Sequence, residues 1–227
     1  MSMIQKNVQN IRQKIITIAL RCGRDPNKIT LLAVSKKKTI KDIKQAVDAG
    51  QLCFAENYIQ EGVEKIKLLS NLSLIWHFIG SLQSNKSRFV AKYFDWCHTV
   101  NSVSLANRLN FQRSSMSNKL NVLIQINISN EVQKSGISLD ELPFLAEAIN
   151  VLPFLALRGV MAIPPLYKSY DAKLLAHRKI AEVFQQLTHM YPSVDTLSLG
   201  MSNDMDAAII AGSTMVRVGT AIFGRRV

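Results

Sequence analysis

The sequence predicts an α/β protein, a single (β/α)8 TIM barrel with an extra N-terminal helix. Three observations carry that expectation. From Ile29 onward, apolar runs of strand length alternate with polar, helix-forming segments, the order that packs helices outside a parallel sheet. Eight such units can be counted, and eight is the number that closes a barrel. No GxGxxG follows the first strand, which disfavours the runner-up, a doubly wound open sheet.

Residues 3–22 place Ile4, Val8, Ile11, Ile15, Ile18 and Ala19 at helical spacing. An amphipathic helix therefore opens the chain, and Gly23 and Pro26 stop it. Strand one is ITLLAVSK at 29–36, followed by a helix to about Ala49 with Gly50 as its cap. QLCFAEN at 51–57 is strand two, with a helix over 58–69. LSLIWHFIG at 72–80 is strand three, before a polar helix near SNKSRFVAKY. DWCHTV at 95–100 is a weaker fourth strand, and SVSLANRLNFQRSS the helix behind it. LNVLIQINIS at 120–129 is strand five, with a helix from Leu139 to Asn150. FLALRGVMAI at 154–163 is strand six, ended by Pro164 and Pro165, and a long helix runs from about Tyr170 to Met190. VDTLSLGMS at 194–202 and STMVRVGT at 213–220 are the last two strands, with SNDMDAAIIAG as a short helix between them. AIFGRR is the tail. No linker, repeat or low-complexity stretch divides the chain, so residues 1–227 read as one domain.

The first strand sets the chemistry. If side chains alternate along it, Thr30, Leu32, Val34 and Lys36 share one face. Lys36 then ends a mostly apolar face, where burial disfavours the ammonium and lowers its pKa from roughly 10.4. A shift of about three units takes on the order of 4 kcal/mol and leaves a neutral amine able to attack a carbonyl. The alternative is a lysine snorkelling from a strand end into water.

Other polar residues fall at the C-terminal ends of the strands, where the active sites of such barrels lie. Asn57 follows strand two, and His77 lies near the end of strand three. Asn127 and Ser129 end strand five. Gly200, Met201 and Ser202 close strand seven; Arg217, Gly219 and Thr220 close strand eight. SLGMSND is a phosphate-cup candidate, because Gly200 permits a tight turn and Ser202 can cap a helix whose free N–H groups face an anion. Ordinary turn glycines and a helix cap explain the same residues. Asp204 and Asp206 in the first turn of that helix are expected to face away from an anion. An inward Arg217 calls for a partner, so it is read either as a ligand contact or as half of a structural ion pair. His77 on an apolar run is read either as a contact or as a core histidine.

Hydrophobic residues at 48% and charged residues at 19% describe a folded globular chain, not a disordered one. Cys22, Cys53 and Cys97 are far apart and form no CxxC, which points to reduced thiols in the cytoplasm and no metal. No apolar stretch reaches the roughly 18 residues of a membrane span. The net charge of +12 admits a nucleic-acid binder. Yet the basic residues are scattered, and no nucleic-acid motif accompanies them. Attraction for an anionic small ligand accounts for the charge as well.

Together these segments resemble a known family, the YggS-type pyridoxal phosphate homeostasis proteins. The resemblance rests on AVSK at 33–36, FAENYIQE at 54–61, WHFIGSLQSNK at 76–86 and LIQINIS at 123–129. KSGI at 134–137, RGVMAIP at 158–164, LSLGMSNDM at 197–205 and GSTMVRVGTAIFG at 212–224 extend it over almost the whole chain. Ser81 departs from the family's IGPLQSNK, and Asn203 stands where the family has aspartate. The resemblance implies a barrel like the N-terminal domain of alanine racemase and the cofactor pyridoxal 5'-phosphate, held as a covalent aldimine on Lys36. It further implies Arg217 at the pyridine nitrogen and Ser202, Gly219 and Thr220 at the phosphate; Asn57, His77 and Met201, from their places at strand ends, are added as candidate cofactor contacts.

The chemistry of the residues agrees, since the cofactor needs a lysine, a phosphate cup and a group tuning its ring nitrogen. An arginine at that nitrogen keeps it unprotonated and weakens the ring as an electron sink. Three functions compete. The first is cytoplasmic pyridoxal phosphate homeostasis without efficient catalysis, with pyridoxal-phosphate-dependent apoenzymes as possible acceptors. The second is an amino-acid racemase, which needs a base on each face of the substrate. Such racemases also carry a second domain, for which the residues after strand eight leave no room. The third is a basic nucleic-acid-binding protein. No exposed apolar stripe calls for a partner subunit, so a monomer is expected.

Overall fold

The computed structural model describes residues 1–128, 135–165 and 167–224. Eight parallel strands form a closed barrel in sequence order. They are β1 (Thr30–Val34), β2 (Cys53–Glu56), β3 (Ile75–Phe78), β4 (Trp96–Val100), β5 (Leu120–Ile126), β6 (Leu155–Ala162), β7 (Thr196–Ser198) and β8 (Met215–Val218). Closure is made where β1 pairs with β8, Leu32 opposite Arg217 and Ala33 opposite Val218. The helices are α1 (Met3–Arg21), α2 (Ile40–Asp48), α3 (Ile59–Leu68), α4 (Ser87–Tyr93), α5 (Val103–Arg113), α6 (Leu142–Asn150), α7 (Tyr170–Met190), α8 (Met205–Ala211) and α9 (Thr220–Phe223).

The alternation of side chains along each strand divides the apolar residues into two sets. Leu31, Ala33, Phe54, Trp76, Phe78, Val216 and Val218 face the helices and join the main core. Leu32, Ala55 and Met215 pack inside the barrel with Val34, Cys53 and Ile79. Helix α1 starts at a capping box between Ser2 and Gln5 and buries Val8, Ile15, Ile18 and Ala19. It packs against α2, α8 and α9.

Several boundaries differ from expectation, each for a local reason. Strand β7 keeps only three residues, because the chain turns at Gly200, whose φ of +94° and whose closeness to Ala208 exclude a side chain. Helix α6 starts at Leu142, with Pro143 in its first turn, where a missing N–H does no harm. The polar segment after β3 is a 3-10 turn at Ser84–Lys86 leading into α4. The start of the tail, through Phe223, lies in α9. Phe111 on α5 and Phe144 on α6 stand exposed, apolar surface that helical periodicity alone did not reveal. Among the described residues, no helix is long and apolar enough to cross a membrane.

Candidate cofactor site

A cavity of about 810 Å³ opens at the C-terminal ends of β1, β2, β3, β6, β7 and β8. Lys36, Asn57, Met201, Ser202, Arg217, Gly219 and Thr220 all line it. Residues from both ends of the chain, Lys36 to Thr220, meet there because each ends or follows a strand of the same barrel.

Lys36 is half-buried at the cavity wall, two residues past the end of β1. Its neighbours face the other way: Ser35 is fully buried behind the wall, and Lys37 is exposed with a left-handed φ of +59°. Lys38 also lines the cavity, and its Nζ donates to the carbonyl of Phe223 at 3.0 Å, tying the β1 loop to the end of α9. Asn57 adds a buried Oδ1 with no hydrogen-bond partner, an acceptor at the edge of the cavity.

Arg217 is 4% exposed. Its Nη1 donates to the Ser198 carbonyl and to Ser198 Oγ, both at 2.7 Å, and its Nη2 donates to the Ala162 carbonyl at 2.9 Å. Burial pulls its pKa down to about 10, with Asp204 opposing, so it remains a cation at neutral pH. Among the described residues it forms no ion pair, and the alternative of a structural pair does not apply. Arg217 is a buried positive charge held by neutral oxygens at the wall of a cavity. An electron-rich ligand group would complete it.

The loop after β7 is organised by Asp204, which takes the N-cap position of α8 that Ser202 was expected to occupy. Its Oδ1 accepts the Met201 N–H at 2.6 Å, and His177 Nε2 approaches Oδ2 to 3.2 Å. Burial alone would raise the Asp204 pKa, but His177, the Met201 N–H and the charge of Arg217 hold it below the usual carboxylate range. Asp204 borders the cavity with its carboxylate engaged in its own loop. Asp206 turns outward to Lys14 at 3.0 Å. Ser202 is left free of the capping role.

His77 does not line this cavity. It pairs in register with Ala55 and so shares the inner face of the barrel, but Ile79, two residues on, is the side chain from this segment that reaches the mouth. His77 is buried, stacks on Trp96 with ring centroids 5.1 Å apart, and shares a hydrogen bond of 2.9 Å with His98. Burial drives its pKa down to about 3, and that of His98 is also well lowered by burial, His77 and Arg217. The core reading of His77 is the one the geometry favours. Asn127 and Gln125 line a smaller adjoining pocket of about 260 Å³ that shares Asn57 and Ile79 with the main one. Ser129 lies outside the described residues.

The neutral histidines carry a pH prediction. The unfolded chain binds a proton at each below about pH 6.5, whereas the folded chain excludes it from His77 down to about 3. Stability is therefore intact above pH 6.5 and falls as the pH drops towards 3, by about 2 kcal/mol from His77 alone at pH 5. Urea unfolding at pH 7 and pH 5 reads this directly. His77→Gln should shrink the difference by about that amount, and an unchanged difference would contradict the assignment.

Sequence reasoning missed the contribution of β6 and its loop. Met161, Ile163, Pro164, Pro165, Tyr167 and Lys168 all border the cavity, as does Lys173 on α7. The same rule that selected the ends of β7 and β8 applies to β6. Its run ends in apolar and proline residues, so no polar side chain marked it.

The residues present fit a phosphorylated carbonyl cofactor: an amine, a buried guanidinium, an unpartnered amide oxygen and two hydroxyls converge on one space. Comparison with known proteins agrees. The family model described as alanine racemase, N-terminal domain, matches residues 4–227. The chain is 57% identical over 229 residues to the pyridoxal phosphate homeostasis protein of Escherichia coli (strain K12), covering 100% of this chain and 98% of that one. It is 51% identical over 230 residues to the protein of the same name from Vibrio cholerae serotype O1, with the same coverage. The structure of PipY from Synechococcus elongatus PCC7942 with PLP bound matches with a TM-score of 0.82 at 31% identity, over 97% of this chain and 100% of that chain. With its closed barrel and its clustered strand-end residues, the chain belongs to the alanine racemase N-terminal domain family and, within it, to the pyridoxal phosphate homeostasis proteins.

Proposed function

We propose that this chain binds pyridoxal 5'-phosphate through Lys36 and serves its homeostasis, holding the cofactor and releasing it to apoenzymes that need it. The observation that carries the reading is the convergence of Lys36, Arg217, Ser202, Gly219 and Thr220 on one cavity. When bound, the cofactor supplies an electrophilic carbonyl carbon and an electron-withdrawing ring. Lys36 is the amine that would hold that carbon. Ser202 and Thr220 offer hydroxyl donors to the phosphate, and Gly219 offers close backbone approach, a Cβ there lying only 3.3 Å from the Val34 carbonyl. Arg217, still a cation at neutral pH, would be the group set at the ring nitrogen and would disfavour its protonation. That restrains carbanion chemistry and suits holding more than turnover.

Borohydride reduction followed by peptide mass mapping tests the reading. The cofactor's mass should be found on Lys36 and vanish in Lys36→Ala; label confined to other lysines would overturn it. Tyr167 also borders the cavity, which gives the racemase alternative a candidate second base. Incubation of the loaded protein with L-alanine in D2O separates the two. Deuterium at the α-carbon should stay at the level given by free cofactor. Faster exchange that is lost in Tyr167→Phe would favour the racemase.

A further inference from the structure

Behind the wall that carries Lys36 lies a cluster of buried charge that none of the roles above uses. Glu56, the last residue of β2, has a fully buried side chain. Its Oε1 accepts from Ser35 Oγ at 2.6 Å and from Lys65 Nζ at 2.8 Å. Lys65, on α3, also donates to the Ser35 carbonyl at 2.7 Å and to Glu61 Oε1 at 2.6 Å. Glu61 Oε1 in turn accepts the Lys37 N–H at 2.5 Å. The residue before Lys36 and the residue after it are therefore both gripped by one network. A helix needs no buried ion cluster to pack on a strand, and apolar residues of similar volume do so at lower cost.

The grip acts where the backbone needs it. Lys37 adopts the left-handed conformation that a residue with a side chain rarely takes, and the Glu61 carboxylate holds the N–H of that residue. Ser35 is pinned through its N–H to the Ala55 carbonyl at 3.0 Å, as well as through its hydroxyl and its carbonyl. Ser35 and Lys37 are thereby fixed on either side of Lys36, which lies in the turn between them and lines the cavity. Gly62 allows α3 to sit this close, since a Cβ there would fall 2.7 Å from Phe94 and 3.2 Å from Glu56 Cβ.

We propose that Glu56, Glu61 and Lys65 are positioning residues for Lys36, fixing the Ser35–Lys37 turn from behind and thereby aiming the Lys36 amine into the cavity. The proposal deepens the cofactor reading and rests on Lys36 being the reactive amine. A purely structural network would hold α3 on the barrel and leave the behaviour of Lys36 unchanged once the protein is folded.

The test uses cofactor-free protein, an amine-reactive sulfonate reagent and peptide mapping, with Lys173 on the opposite side of the cavity as internal reference. The variants are Glu61→Ala, its conservative counterpart Glu61→Gln, and Ser35→Ala, which removes one small donor and serves if Glu61→Ala does not fold. The expected result is a selective change of about tenfold in the Lys36 labelling rate relative to Lys173 in the alanine variant, with Glu61→Gln within about twofold of wild type. Any smaller change, or one shared equally by Lys173, overturns the proposal. Borohydride trapping of the cofactor on wild-type protein is run in parallel. If the adduct is not on Lys36, the cofactor reading fails, whereas the labelling ratio judges positioning on its own.

Discussion

Arg217→Glu is expected to cost the cofactor-free protein on the order of 5 kcal/mol, enough to leave much of it unfolded at ambient temperature. The wild-type guanidinium donates three hydrogen bonds, to two carbonyls and a hydroxyl, from a position almost closed to water. A carboxylate there would be an acceptor facing acceptors, and a buried anion without a counter-charge. Arg217→Met removes the charge and keeps much of the volume. It strands three oxygens and should cost about 2–3 kcal/mol. Denaturant unfolding of both variants without cofactor checks the order. A loss below about 1 kcal/mol in Arg217→Glu would mean that these bonds do not hold the residue. If Arg217 sits at the ring nitrogen as proposed, the visible spectrum of bound cofactor should also shift in Arg217→Met.

The second large effect is expected at Gly80, where β3 passes into its loop. A Cβ there would fall 2.0 Å from the Asn57 carbonyl oxygen and 2.9 Å from the Asn57 Cα. These are backbone atoms with no rotamer to yield, so Gly80→Ala must move the end of β2. The loss should exceed the roughly 1–3 kcal/mol of ordinary overpacking and should carry Asn57 away from the cavity it lines. Cofactor retention should fall with it. Gly23→Ala is the contrast: nothing lies within 4 Å of the new Cβ, and only the φ of +70° opposes it. That variant should lose about 1 kcal/mol and keep its cofactor affinity. Equal losses at the two sites, or normal cofactor retention in Gly80→Ala, would count against the close approach of Gly80 to Asn57.

Sequence alone determined the barrel and the order of its parts, because hydrophobic periodicity is local and eight strand–helix units leave few ways to bury their faces. It also singled out Lys36, since an apolar strand that ends in a lysine is visible in four letters. It placed Ser202, Gly219 and Thr220 at strand ends, where barrels of this kind bind their ligands.

Depth, partners and counter-charges were decided only by the tertiary structure. His77 looks like Asn57 in the sequence, a polar residue near the end of a strand. Two positions along a strand separate the mouth from the interior, so Ile79 reaches the cavity and His77 meets His98 below it. Arg217 could have been half of an ion pair, and only the fold put the oxygens of Ser198 and Ala162 on its guanidinium, with Asp204 near enough to act through its charge. Asp204 and not Ser202 holds the N-cap position of α8, and its carboxylate accepts the Met201 N–H of the preceding loop. The network of Glu56, Glu61 and Lys65 lies within and just beyond the motif FAENYIQE at 54–61. That motif gave no hint of it, because its partners Ser35 and Lys37 are more than twenty residues away and face the opposite side of the wall from Lys36. Spacing along a chain reports which face a residue takes. Which charges meet across that face depends on how two elements pack, and a single sequence does not carry that information.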